Sequence, residues 1–91
     1  MAISEQVLLF RKHIQPSGDQ DGVNTVFQAP ERFDPETIEL FLSGNFLRKD
    51  IDFEVLPGNR KVKILLDPND ATRLSVPPLQ DEPLVMNYLR E

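Results

Sequence analysis

Covalent or acid–base chemistry needs nucleophiles, bases or ligating groups held close together, and this chain has few candidates. It contains no cysteine and one histidine, His13, against fifteen Asp and Glu residues. Without cysteine there is no thiol nucleophile, no thiolate metal site and no disulfide. A Ser-His-Asp arrangement would have to be built around His13. That residue follows Arg11-Lys12, a setting that suits an ordinary surface or interface histidine. Two carboxylates can share acid–base work, but most of the acidic residues fall in turns or at the polar positions of alternating segments, where they are solvated. The expectation is a protein that is not an enzyme and uses no cofactor.

The sharpest metal candidate is Ser17-Gly18-Asp19-Gln20-Asp21-Gly22. Its Asp-x-Asp-Gly core is similar to part of a calcium loop, with Gly22 at the bend. Ser17 then takes the first ligand position, and Gln28 stands twelfth, where a bidentate Glu is wanted. Thr25-Val26-Phe27 is β-prone rather than the start of an exiting helix. We therefore expect Asp19 and Asp21 to build a turn and to bind no structural calcium. Asp67-Pro68-Asn69-Asp70 reads the same way.

Charge narrows the partners. The formal net charge is −5, whereas nucleic-acid binding needs a basic face that displaces counterions. Two local basic stretches, Arg48-Lys49 and Arg60-Lys61-Val62-Lys63, read as solvated strand faces and turns. No apolar run approaches the roughly 18 residues of a membrane span. Met1 to Phe10 lacks the basic start and apolar length of a signal peptide. No nucleic acid and no membrane are expected, and a soluble protein made in the cytoplasm is.

The elements that would position these residues are short. Ninety-one residues are one small domain, which buries roughly 60–65% of its unfolded surface. Without a disulfide staple, such a domain gains from packing on neighbours. Val23 to Phe27 is β-branched and aromatic and ends by Pro30. Ile38, Leu40 and Leu42 share one face of a period-two segment, as do Phe53 and Val55, with Asp52 and Glu54 outward. Val62, Ile64 and Leu66 form the next, with Lys61 and Lys63 outward, and Leu84, Met86 and Tyr88 the last. Leu74-Ser75-Val76 is a possible further short strand. Between these lie turn formers: Pro16 to Gly22, Ser43-Gly44-Asn45, with Gly44 and Asn45 tolerant of positive φ, and Pro57-Gly58-Asn59. Strands are expected near 23–29, 37–43, 52–57, 61–66 and 83–90. Ile3, Val7, Phe10 and Ile14 have helical spacing, yet Val7-Leu8-Leu9-Phe10 alone fits a short buried strand. A strand or extended arm is preferred. The fold class is all-β: a small antiparallel β-sandwich of about six or seven strands with an N-terminal strand or arm over 1–15 and a body over 16–91.

Four pieces in order also resemble a family of small bacteriophage virion β-modules. Gly18-Asp19-Gln20-Asp21-Gly22-Val23-Asn24-Thr25-Val26-Phe27, followed by Pro30, is similar to that family's Gly-x-x-Asp-Gly-x-Asn-x-x-Phe. Ile38 to Gly44 resembles its Leu-x-Val-Phe-Leu-Asn-Gly, with Ser43 in place of Asn. Asp50-Ile51-Asp52-Phe53-Glu54-Val55 resembles Gly-x-Asp-Tyr-x-Val, with Asp50 for Gly and Phe53 for Tyr. Pro77-Pro78, Asp81-Glu82 and Leu84 to Tyr88 resemble its Pro-Pro, Gly-Asp, Leu-Val-x-x-Tyr ending, and 63–73 is longer than usual. The resemblance implies a non-enzymatic structural component of the virion, at the neck or collar, tail or capsid surface. It carries over no catalytic residue.

The expected partners are other virion proteins, with a homo-oligomer in a symmetric ring or array. Val7, Leu8, Leu9 and Phe10 are the candidate interface, and Asp21, Gly22, Asn24, Ser43 and Gly44 the candidate turn residues. The alternative is a glycan- or host-surface-binding module of a phage fibre. Exposed aromatics would favour it, and the aromatics of this chain mostly read as inward.

Overall fold

A strand that alternates apolar and polar residues is apolar on one face only, so two sheets of such strands bury those faces against each other. The computed structural model describes residues 10–91 and shows this arrangement. Seven strands follow in order: β1 (Phe10–Ile14), β2 (Val26–Gln28), β3 (Glu39–Leu42), β4 (Asn45–Leu47), β5 (Phe53–Val55), β6 (Lys61–Ile64) and β7 (Leu84–Leu89). One antiparallel sheet has the order β1-β7-β3-β4 and the other β2-β6-β5. The chain is a small all-β antiparallel sandwich.

Sheet β1-β7-β3-β4 turns Leu40, Leu42, Leu47, Leu84, Met86 and Tyr88 inward, and the other sheet answers with Phe27, Phe53, Val62 and Ile64. Register makes this consistent: Leu40 stands opposite both Leu47 and Met86, and Val62 opposite both Phe27 and Val55. Ala29, Phe33 and Ile38, in the connection from β2 to β3, complete the core. Phe33 packs on Tyr88 with ring centroids 5.6 Å apart, within the range for a favourable aromatic pair.

Ile38, Leu40, Leu42, Phe53, Ile64 and Tyr88 are buried as the spacing requires, while Val55 is only half-buried. The strands are shorter than the alternation suggests, because side chains and loops take over the backbone groups at their ends. Val23 to Thr25 is held in a turn rather than in β2. The Leu65 N–H donates to the Asp52 carbonyl at 2.9 Å, in register beyond the Phe53–Ile64 pair, but Leu66 lies past the end of β6 and is exposed. Leu74 to Val76 is not a strand. Leu74 leans on the core and its carbonyl accepts the Asp67 N–H, while Val76 is exposed. Asp52 is the other reversal: it is buried, because Arg48 gives its carboxylate a partner inside.

Candidate functional site

The turn that opens the body is built by its own side chains. Asp21 Oδ1 accepts the N–H groups of Val23 and Asn24, both at 2.9 Å. The Asn24 amide donates forward to the Val26 carbonyl at 2.8 Å and back to the Asp19 carbonyl at 3.3 Å. The hydrogen bonds from Asn24 and Val23 hold the Asp21 carboxyl below its ordinary pKa. These are Asx-type bonds that replace a strand ladder with a turn. Gly22 takes φ 78° and donates its N–H to the Pro78 carbonyl at 3.0 Å. Gln20 donates to the carbonyls of Leu79 and Glu82. Two loops, 16–25 and 76–82, are thereby pinned together at one end of the sandwich. Among the described residues, no group of three or more His, Asp or Glu side chains is placed to hold a metal ion.

The second turn is the β3–β4 hairpin. Leu42 pairs with Asn45, so Ser43 and Gly44 are its two central residues, at φ 52° and 82°. Positive φ at both is the requirement of a type I′ hairpin. Of the expected Ser43-Gly44-Asn45 turn, Ser43 and Gly44 take the two central places and Asn45 opens β4, a register that keeps Leu42 and Leu47 facing the core. Asp50 adopts φ 65°, and its N–H donates to the Phe53 carbonyl at 2.6 Å.

Two charged clusters tie connections to the sandwich. Asp52, 4% exposed, accepts the Arg48 N–H at 2.8 Å and Arg48 Nε at 3.0 Å. Burial pushes its carboxyl up, but the Arg48 bonds outweigh that and leave it below the ordinary range, while the same bond raises Arg48. Arg73 extends the cluster to Asp67 and to the Ile51 carbonyl, and Asp70 is lowered chiefly by the Thr72 hydroxyl. In the second cluster, the buried Tyr88 hydroxyl donates to Glu31 Oε2 at 2.6 Å. Burial first, and then this bond, raise the Tyr88 phenol. Arg11 Nε lies 3.4 Å from the same oxygen, a charge contact without hydrogen-bond alignment, and Arg90 is 3.9 Å from Glu31 Oε1. Neither cluster lines the two open grooves beside the 16–25 loop. Each brings basic side chains to a carboxylate: Asp52 just before β5, and Glu31 in the connection between β2 and β3.

Of the candidate interface residues, Phe10 lies half-buried in β1 opposite Leu89, with Lys12 Nζ 5.5 Å above its ring. Val7, Leu8 and Leu9 lie outside the described residues. His13 is exposed at φ 57°, within the irregular stretch of β1, and its N–H donates to Asn87 Oδ1. The sequence missed the aromatic pair on the outer face of the larger sheet. Phe46 is 57% exposed and meets the half-buried Phe41 edge-on at 5.5 Å, with Val85 beyond Phe41 in the same row. The signal was the odd-numbered phase of β3, which turns Phe41 outward whenever Leu40 and Leu42 point in.

Val23, Val76 and Leu79 are likewise exposed, at the end formed by the two pinned loops. Such surfaces can pack or stack. No helix among the described residues is long and apolar enough to cross a membrane. No family model, curated protein or solved structure matches the chain.

Proposed function

We propose that this chain is a non-enzymatic structural component of a bacteriophage virion, at the neck or collar, tail or capsid surface, made in the host cytoplasm and acting by packing against other virion proteins in a symmetric ring or array. The packing role is carried by one observation: a sandwich of this size leaves large apolar side chains uncovered at Val23, Phe46, Val76 and Leu79. Exposed apolar clusters with polar rims mark interaction surfaces. The virion setting comes from the four similar segments, which fall on the β2 turn, the β3–β4 hairpin, β5 and β7 of a single sandwich.

Antibody labelling of purified particles tests the reading. The chain is expected in intact virions at a fixed copy number and at one location. Absence from particles of a phage that encodes it rejects the proposal.

A second reading, a glycan- or host-surface-binding module of a fibre, is favoured by Phe46 alone, because sugar faces stack on exposed rings. Binding of the purified chain to a glycan array, lost in Phe46→Ala, would select it.

A further inference from the structure

Loops 16–25 and 76–82 form an end with an unusual composition. Residues 15–30 and 74–83 contain no Lys or Arg but contain Asp19, Asp21, Asp81 and Glu82. The loops are fastened by the Gly22–Pro78 backbone bond and the Gln20 amide, and a Cβ on Gly22 would lie 2.8 Å from Leu79 Cδ2. From this acidic end Val23 projects, 78% exposed, with Val76 and Leu79 also uncovered. Asp21 has its carboxylate committed to the turn, whereas Asp19 and Asp81 are exposed.

The adjoining surface has the opposite sign. On β6, Val62 and Ile64 point into the core, so Lys61 and Lys63 point out. They stand opposite Gln28 and Val26 on one side, and Lys63 stands opposite Glu54 on the other. Neither lysine is part of an ion pair among the described residues. An open groove of about 430 Å³ joins the two surfaces, with Ser17, Asp19, Asn24, Gln28 and Lys61 on its walls. The side of the molecule around this groove is thus acidic at the loop end and basic on β6.

We propose that this side is where a second copy of the chain docks, around a two-fold axis. Rotation by a half-turn sets the acidic half of each copy against the lysines of the other, and presents each Val23 to the partner's groove. A two-fold interface requires a self-complementary patch, and adjacent halves of opposite charge satisfy it. The proposal rests on the packing part of the functional reading above and is independent of the virion setting.

The test is the mass of the purified full chain by sedimentation equilibrium across a dilution series. At low salt a dimer is expected. Raising the salt should dissociate it, since the screening length falls from about 30 Å at 0.01 M to about 8 Å at 0.15 M. The double variants Lys61→Glu/Lys63→Glu and Asp19→Lys/Asp81→Lys should each be monomeric, and mixed in equal amounts should form a dimer. Circular dichroism checks that both are folded. If either is not, Lys63→Glu and Asp81→Lys alone carry the same comparison. A wild-type chain that stays monomeric throughout overturns the proposal. So does a dimer that ignores salt and both charge reversals, or one lost only in Phe46→Lys, which would place the contact on the other sheet. Particle labelling is unaffected by any of these results, so failure here is separable from failure of the virion reading.

Discussion

At the scale of single residues, Asp52 and Tyr88 make opposite statements about pH. The Asp52 carboxyl is lowered in the folded chain, so its contribution is complete above the ordinary Asp value of about 3.9 and is lost as pH falls through it toward the folded value. Tyr88 is raised, so its contribution is complete below about pH 10 and is lost as pH rises beyond that. Urea denaturation across pH should show both flanks. Asp52→Asn should flatten the acid flank and cost about 1–2 kcal/mol at neutral pH, because the bonds from Arg48 lose their charged acceptor. Tyr88→Phe should flatten the alkaline flank at a cost of about 1 kcal/mol.

Glycines separate in the same way. A Cβ on Gly18, at φ 141°, would meet Phe27 Cδ1 at 2.7 Å and the Val26 carbonyl at 3.0 Å, whereas a Cβ on Gly44 meets nothing within 4 Å. Gly44→Ala should cost only the left-handed backbone penalty of about 1–2 kcal/mol, and Gly18→Ala clearly more. Equal midpoints for the two in urea would contradict this contrast.

At the scale of elements, β1 bears on the N-terminal segment. Phe10–Ile14 pairs with β7 of its own chain, Ile14 leans on the core, and Arg11 reaches Glu31. The pairing is irregular between Arg11 and Ile14, which weakens the ladder. Truncation should therefore divide the segment. Removing residues 1–9 leaves β1 and should leave a cooperative thermal transition with weakened assembly. Each of Val7, Leu8 and Leu9 buried in a contact would contribute about 1.5–3 kcal/mol. Removing 1–15 uncovers the edge of β7 and should lower the midpoint and promote aggregation. If the 1–9 truncation assembles as well as the full chain, the apolar cluster has no interface role. If the 1–15 truncation melts like the full chain, β1 is not part of the stabilising sheet.

At the scale of the whole molecule, the far-ultraviolet circular dichroism of the chain should be that of strands, and a helical spectrum would contradict the sandwich. Calorimetry with calcium should show no tight binding, since Asp21 already spends its carboxylate on the Val23 and Asn24 N–H groups. Tight binding abolished by Asp21→Ala would overturn that expectation.

Fold class and most of the core follow from residue order alone. Period-two spacing leaves Leu40, Leu42, Ile64, Leu84, Met86 and Tyr88 only one consistent face, because a one-residue slip would turn them all into water. Local chemistry likewise determined that Asp21, Gly22 and Asn24 form a turn, since Asx bonds span two or three residues. Tertiary structure decided what depends on neighbours distant in the chain. Asp52 is buried because Arg48 and the 67–73 loop close around it, which alternation alone cannot reveal. Leu66 is exposed because β6 stops at Ile64, an end that alternation alone does not mark. The hairpin centres on Ser43 and Gly44 because that register, shared with β7, keeps Leu40 and Leu42 inward. The opposed charges of the loop end and the β6 face were invisible as well. They come from segments distant in the chain, and only tertiary pairing sets them side by side.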